Sequence, residues 1–185
     1  MRLFVAAELP QPLLEALSET SVLLRGRVDG RYVAPDSFHL TLAFLGEVAG
    51  RQVADACEAL DEACAGQPPI KVALGPLGSF GRKRKATLWQ GFSMGVDELG
   101  GLAGDVREAL AEHGLDYDPL AFAPHVTLMR AADLSAGMLP PVYEATGRIS
   151  RVSLFRSDLS GPRPRYEALH TVELAEVEPE ELQAW

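Results

Sequence analysis

The chain has 185 residues, of which 47% are hydrophobic, and both values are typical of a single globular domain, which we expect to span residues 1–185. Its formal net charge of −9 argues against a protein that coats long nucleic acids, because non-specific binding needs many cationic contacts. It leaves room for a site that grips one or two phosphates. No apolar run approaches the ~20 residues that a membrane-spanning helix needs, so we expect no membrane partner.

Hydrophobic periodicity and turn residues predict strands and helices in irregular alternation. Gly26, Gly66 and Gly114 follow the three predicted helices as C-cap residues. Neighbouring strands joined by short turns favour an α+β fold with mostly antiparallel sheets over a doubly wound parallel sheet. In chain order the predicted elements are strand 2–8, helix 12–25, strand 38–45, helix 51–65, strands 70–77 and 86–92, helix 97–113, and strands 125–130, 149–157 and 166–175.

The first strand and the cysteines indicate the cellular compartment. The apolar run at residues 3–7 is interrupted by Glu8, too early for a signal peptide. Cys57 and Cys64 lie two turns apart in a predicted helix, too far for a disulfide, so we expect buried, inert thiols. These features predict a cytoplasmic protein, and we expect a monomer.

A short motif occurs twice along the chain. Residues 38–42 read Phe-His-Leu-Thr-Leu, and residues 124–128 read Pro-His-Val-Thr-Leu. Each half of the chain also has a helix, 51–65 after the first copy and 97–113 before the second. We therefore expect a bilobal protein in which two pseudo-symmetric lobes, with outer helices, each present one histidine strand to a central cleft.

The doubled motif presents a set of side chains that suits phosphodiester cleavage. Because side chains at i and i+2 of a strand share a face, His39 lies beside Thr41 and His125 beside Thr127. A neutral imidazole can take a proton from an attacking water, and an imidazolium can protonate the leaving oxygen. Threonine hydroxyls can stabilise the negative charge that builds on the phosphate oxygens.

Paired histidines can also bind a metal, but zinc usually takes three or four protein ligands, and each motif supplies a neutral threonine instead of a second ligand. The chain has no Walker sequence, no Gly-x-Gly-x-x-Gly after a strand and no Cys-x-x-Cys. We therefore expect neither a metal nor a cofactor. His113, at a helix end where it can meet the last carbonyls, and His170, in the last strand, are interpreted as structural.

Charge is unevenly distributed. Residues 82–85, Arg-Lys-Arg-Lys, form a basic cluster that is either a solvated hairpin tip or a contact for RNA. Residues 78–81 before this basic cluster are interpreted as a turn, and residues 173–181 form an acidic tail.

The two motifs and their flanks resemble the 2H phosphoesterase superfamily, and within it the bacterial and archaeal RNA 2′,3′-cyclic phosphodiesterases, also named 2′-5′ RNA ligases. The resemblance covers nearly the whole chain and is carried by residues 2–6, 38–46, 124–130, 154–157 and 165–167. It implies a bilobal α+β fold with both motifs in a central cleft, and RNA ends or cyclic nucleotides as substrates.

The resemblance also implies roles for single residues. His39 and His125 are expected to be catalytic, Thr41 and Thr127 to bind phosphate, and Arg130 to line the site. It further implies that His39 is the proton donor and His125 the proton acceptor, an order that the nearly symmetric motifs leave open. One departure is Ala123, where many relatives carry a basic residue, which bears on how firmly the RNA backbone is held.

Three functions stand as hypotheses. The leading one is hydrolysis of a terminal 2′,3′-cyclic phosphate to a 2′-phosphate. A 2′-5′ RNA ligase would use the same acid–base pair with a 5′-hydroxyl in place of water, but water at ~55 M outcompetes an RNA end that is not firmly held. The third is a nucleotide-binding module without turnover, and the intact histidines and threonines argue against it.

Overall fold

The structure is a computed structural model that describes residues 1–175, so residues 176–181 of the acidic tail lie outside the described residues. Nine strands and three α-helices form its framework in that part of the chain, with short 3-10 turns at Pro35–Ser37 and Gly50–Gln52. In chain order the elements are β1 (Arg2–Ala7), α1 (Gln11–Leu24), β2 (Arg31–Tyr32), β3 (Leu40–Glu47), α2 (Val53–Cys64), β4 (Ile70–Arg82), β5 (Lys85–Met94), α3 (Val96–Glu112), β6 (His125–Ala132), β7 (Thr146–Ile149), β8 (Arg151–Asp158) and β9 (Arg165–Glu173).

The strands form two sheets in which every neighbouring pair is antiparallel. Sheet A has the order β3-β1-β8-β9, and sheet B has the order β2-β6-β5-β4-β7. Helices α2 and α3 pack against each other and against strands of sheet A, while α1 packs against β7 of sheet B. The predicted α+β fold of two antiparallel lobes with outer helices is therefore confirmed.

The two sheets do not correspond to the two halves of the chain, because the chain crosses between them repeatedly. The expected allocation of helices is wrong on this point: α3, which precedes the second motif, packs on α2 and on β3, the strand of the first motif. Its predicted core face is correct, since the four periodic residues are at most 1% exposed: Leu99, Leu102, Val106 and Leu110. Helical periodicity identifies the buried face of a helix but not the sheet that covers it.

Most predicted elements are found within a few residues of their predicted bounds. The three C-cap glycines are confirmed by positive φ angles of 82° at Gly26, 70° at Gly66 and 74° at Gly114. The predicted strand 149–157 is divided at Ser150, because β7 pairs with β4 in sheet B whereas β8 pairs with β1 in sheet A. The two-residue strand β2 was not predicted.

The predicted turn at residues 78–81 is wrong, because β4 continues through it to Arg82 and pairs with β5. The indole of Trp89 lies across Gly78, where a Cβ would stand 2.2 Å from the ring. Glycine is therefore needed here for close approach of an aromatic ring, and not to turn the chain. The hairpin turn consists of Lys83 and Arg84, inside the basic cluster.

The two cysteines are free and differ in burial. Cys64 is buried, and burial raises the pKa of its thiol to about 11, whereas Cys57 is only half-buried. The expectation of buried thiols therefore holds for Cys64 alone. Within residues 1–175, none of the helices combines the length and apolar character needed to cross a bilayer.

Candidate active site

The two histidine motifs lie where the two sheets approach each other. His39 immediately precedes β3, an edge strand of sheet A, and His125 opens β6, which only the two-residue strand β2 separates from the edge of sheet B. Strands β3 and β6 contact each other. The fold thus brings the two motifs, 86 positions apart in the chain, to the place where the two sheets meet.

Each imidazole is oriented by a hydrogen bond to the backbone carbonyl two residues earlier. The ring Nδ1 of His39 lies 2.7 Å from the carbonyl oxygen of Ser37, and Nδ1 of His125 lies 2.6 Å from that of Ala123. A carbonyl oxygen only accepts, so Nδ1 donates its hydrogen in both rings. In the neutral ring Nε2 therefore carries the free lone pair, and this atom is left to accept or return a proton.

Aromatic rings support each imidazole, two on each side of the cleft. The His39 ring lies 4.8 Å from the ring of Phe4 and 5.2 Å, edge to face, from that of Tyr166. The His125 ring lies 5.1 Å, edge to face, from Phe80 and 5.7 Å from Trp89. The pseudo-symmetry that the motifs predict extends to this packing, which fixes ring tilt without placing a charge against either imidazole.

Burial supports the expected faces of the two motifs. The histidines and threonines are half-buried, whereas the aliphatic residues between and after them are 0% exposed: Leu40, Leu42, Val126 and Leu128. Thr41 and Thr127 therefore stand beside His39 and His125 on the outward face of each strand.

A β-bulge brings Arg130 to the same side as His125. Leu88 and Trp89 are consecutive on β5 but pair with Met129 and Thr127 on β6, so Leu128 is the extra residue. Leu128 and Met129 are both buried, so the alternation of buried and outward side chains shifts by one residue at the bulge. Arg130 is exposed as a result. A regular strand would have pointed Arg130 away from the His125 face.

The same bulge occurs in the first motif. Val5 and Ala6 are consecutive on β1 but pair with Ala43 and Thr41 on β3, so Leu42 is the extra residue there. The equivalent of Arg130 by position is Phe44, over which the guanidinium of Arg2 lies at 5.0 Å. The two motifs thus share their bulge, but the position that Arg130 occupies on β6 holds an aromatic ring on β3.

The electrostatic environment of His39 reflects this arrangement. Burial lowers the pKa of the His39 imidazole below its ordinary value, and its hydrogen bond to the Ser37 carbonyl opposes that change. The neighbouring Arg130 and His125 side chains lower the pKa of His39 further. Both groups from the second motif are therefore within electrostatic range of the histidine in the first.

Arg107 of α3 connects the two motifs, and sequence reasoning missed it. Its Nε donates to the carbonyl of Leu42, the bulge residue of β3, at 3.0 Å, and one of its terminal nitrogens donates to the carbonyl of Leu120 at 2.8 Å. The rings of Tyr117 and Phe122 lie 5.6 and 5.8 Å from its guanidinium. One side chain thus fixes both the bulge after His39 and the loop that leads to His125.

The carbonyl of Leu128, the bulge residue on β6, accepts its hydrogen bond from the backbone rather than from a side chain. The backbone N–H of Val33, next to β2, donates to the Leu128 carbonyl at 2.9 Å. Sheet B therefore covers the outer edge of its motif strand with a short strand, whereas sheet A uses a guanidinium and a loop for the same purpose. The sequence around Arg107 does not indicate that its guanidinium covers the edge of β3, because an arginine on a helix is most often only a solvated side chain.

The other two histidines lie on the helical side of the molecule. His113 Nε2 is 3.0 Å from Glu62 Oε2, and His170 Nε2 is 2.6 Å from Asp61 Oδ1, both on α2. The ring of His113 thus pairs with a carboxylate rather than with the last helix carbonyls. Among residues 1–175, the one His/Asp/Glu grouping with metal-ligand spacing is Asp55, Glu58 and His113, which includes neither motif histidine.

Comparison with known proteins matches this arrangement to one family. The family model described as LigT like Phosphoesterase matches residues 7–89 and 93–166. The RNA 2′,3′-cyclic phosphodiesterase of Escherichia coli K12 is 31% identical over 91% of this chain and 93% of its own length. The protein of the same name from Geobacillus stearothermophilus is 30% identical over 90% of this chain, but the chain spans only 55% of that relative.

Solved structures of similar proteins have the same fold as this chain. A crystal structure of E. coli LigT complexed with 3′-AMP superimposes with a TM-score of 0.81 at 30% identity, covering 95% of this chain and 98% of the other. A crystal structure described as a phosphoesterase gives a TM-score of 0.75 at 32% identity over the same shares of the two chains. The likeness in fold therefore extends over nearly the whole chain.

Proposed function

Because this chain belongs to the LigT-like phosphoesterase family, we propose that it hydrolyses 2′,3′-cyclic phosphates at RNA 3′ ends to 2′-phosphates, with His39 and His125 as an acid–base pair. The observation that carries the proposal is the pair of imidazoles at one cleft, each with Nδ1 held by a carbonyl and Nε2 free for proton transfer. The names of the relatives support the reaction, and the 3′-AMP complex of E. coli LigT supports a nucleotide as ligand.

In the proposed reaction a water molecule attacks the phosphorus and the bond to the ribose 3′-oxygen breaks. Nε2 of His125 takes the proton from the water, and Nε2 of His39 gives a proton to the departing 3′-oxygen. The 2′-oxygen keeps the phosphate, so the product is a 2′-phosphate beside a free 3′-hydroxyl. This assignment of donor and acceptor follows the family resemblance, and the reverse order would use the same atoms.

The lowered pKa of His39 is compatible with a donor role once substrate is bound. In the free protein, burial and the neighbouring Arg130 guanidinium favour the neutral ring of His39. The negative charge of a bound phosphodiester favours the imidazolium beside it and offsets both effects. Binding of the substrate would therefore raise the pKa of His39 and favour its protonation by solvent.

Three further side chains are proposed to hold the phosphate. Thr41 and Thr127 stand beside the histidines on the outward faces of β3 and β6 and can donate to the non-bridging oxygens. Arg130 lies within electrostatic range of His39 and can balance the negative charge that develops on the phosphate oxygens. The proposed mechanism uses no metal and no cofactor, since these donors and the histidine pair supply all of its steps.

Product identification tests the proposal against its two alternatives. An RNA ending in a 2′,3′-cyclic phosphate would be incubated with the protein and with the His125→Ala variant, and the ends would be resolved by mass spectrometry and phosphatase sensitivity. We expect a 2′-phosphate from the wild type alone. A 2′-5′-joined product from an added 5′-hydroxyl RNA would favour ligation, and binding without any change of the end would favour a module without turnover.

A further inference from the structure

One face of the β4–β5 hairpin continues outward from His125. The pairing is regular from Leu77 to Arg82, so side chains that alternate along the two strands share a face. The opposite face is in the core, because Ala86, Leu88 and Gln90 are at most 1% exposed. The outward face, which we name the hairpin stripe, consists of Trp89, Phe80, Thr87, Arg82 and Lys85.

The hairpin stripe changes character along its length. At its inner end the rings of Trp89 and Phe80 flank His125, and Phe80 is 45% exposed. At its outer end Arg82 and Lys85 form a cross-strand pair of exposed cations. The tip is held in place, since the N–H of Leu134 donates to the Lys83 carbonyl at 2.8 Å.

We propose that the hairpin stripe binds the single-stranded RNA segment that lies 5′ to the terminal cyclic phosphate. A base stacks on the exposed ring of Phe80, and Arg82 and Lys85 hold the next phosphates of the backbone. Aromatic rings followed by cations are the combination that binds single strands without reading their sequence. This inference rests on the proposed function and adds to it that an oligonucleotide is a better substrate than a mononucleotide.

The charge distribution supports a local contact. The chain carries a net charge of −9, so its net charge repels RNA, and an RNA strand needs a local group of cations to bind. The adjacent exposed cations Arg82 and Lys85 provide such a group next to the ring that packs on His125. Phe80 and Arg82 are two residues apart on a strand, about 6–7 Å, so the cations begin one short step beyond the ring. The competing interpretation is a solvated hairpin tip without a partner.

The test compares two double variants from the ends of the same strand. Arg82→Gln/Lys85→Gln removes the cross-strand cation pair at the tip, and Lys71→Gln/Arg148→Gln removes the equivalent exposed pair at the other end of β4. For each protein, kcat/KM would be measured on a cyclic mononucleotide and on an oligonucleotide with the same terminal nucleotide, from 50 to 200 mM salt.

Wild type should prefer the oligonucleotide, and the tip variant should lose that preference while the control keeps it. Each lost phosphate contact flattens the salt slope by ~0.7. For two contacts, the fall in oligonucleotide kcat/KM between 50 and 200 mM should therefore be about sevenfold smaller in the tip variant. Phe80→Ala should lower kcat/KM more for the oligonucleotide than for the mononucleotide, because Phe80 also packs against His125. Phe80→Tyr, which keeps a stacking ring, should restore the difference between the two substrates.

Each outcome decides between the claims. If wild type cleaves the mononucleotide but the tip variant keeps the full preference and salt slope, the hairpin stripe is a solvated tip and the inference fails while the proposed function stands. If the tip and control variants lose the preference for the oligonucleotide equally, the effect comes from the overall charge of the protein, and the inference also fails. If wild type cleaves neither substrate, the proposed function fails and the inference fails with it.

Discussion

Gly78→Ala provides a sharp test of how the fold positions His125. A Cβ at residue 78 would stand 2.2 Å from the indole of Trp89, and ordinary contact begins at 3.4 Å, so the rigid ring must retreat by about 1.2 Å. Overpacking of this kind costs about 1–3 kcal/mol of unfolding free energy. Because the same ring packs 5.7 Å from His125, we also expect kcat to fall by about 10- to 100-fold.

The assay is urea unfolding followed by circular dichroism, together with turnover of a cyclic mononucleotide. The matched control is Gly101→Ala, on the exposed face of α3, where an added Cβ meets nothing within 4 Å. That change should stabilise the protein by about 0.5–1 kcal/mol and leave turnover unaltered.

A double-mutant cycle identifies the cause. If the clash with the indole is responsible, Gly78→Ala in a Trp89→Ala background should cost less than about 0.5 kcal/mol, because the ring that it strikes is gone. A cost that is the same in both backgrounds, or no cost in either, would refute the reasoning.

Three other expectations follow from the site. Arg107→Met should lower kcat by about tenfold or more with a smaller change in KM. Arg107→Lys should recover kcat only in part, because one ammonium nitrogen does not reproduce the two guanidinium nitrogens that reach the Leu42 and Leu120 carbonyls. An equal loss of stability in both variants with unchanged kinetics would contradict the positioning role. As the pH rises, kcat/KM should fall at a lower pH than kcat. The reason is that burial lowers the pKa of His39 in the free protein, whereas a bound phosphate favours its protonation. Alkaline limbs that coincide in the two pH profiles would contradict this. Activity should survive EDTA in both the wild type and an Asp55→Asn/Glu58→Gln variant, and loss that zinc or manganese restores would contradict a metal-free mechanism.

The sequence was sufficient for the parts of the fold that depend on local patterns. Glycines after apolar periodic segments marked helix ends, and the doubled motif indicated the paired lobes and the outward faces of His39 and His125. The resemblance named Arg130 as a site residue, although a regular strand would have turned it away. Only the bulge at Leu128 makes an outward position for Arg130 compatible with buried neighbours.

The remaining features depend on contacts between distant segments, which local patterns do not encode. Nothing around Arg107 indicates that its guanidinium reaches a β3 carbonyl 65 residues away. Gly78 was interpreted as a turn because glycine frequently is one, and only the cross-strand position of Trp89 shows the alternative reason for it. The crossing of Ile149 and Arg151 into different sheets likewise follows from strand partners, not from the continuous apolar run that contains them.

The central claim is that His39 and His125 act as one acid–base pair, and their separate replacement by alanine on two substrates tests it most directly. On RNA 2′,3′-cyclic phosphate, each change should lower kcat by about 10² to 10⁴, and the double variant should be little worse than the poorer single one. On a p-nitrophenyl ester of a nucleoside phosphate, whose leaving group needs no proton, His39→Ala should recover and His125→Ala should not. Recovery by His125→Ala instead would reverse the two roles and keep the pair. If neither replacement lowers cleavage of the cyclic phosphate by even tenfold, the paired histidines are structural and the account is wrong.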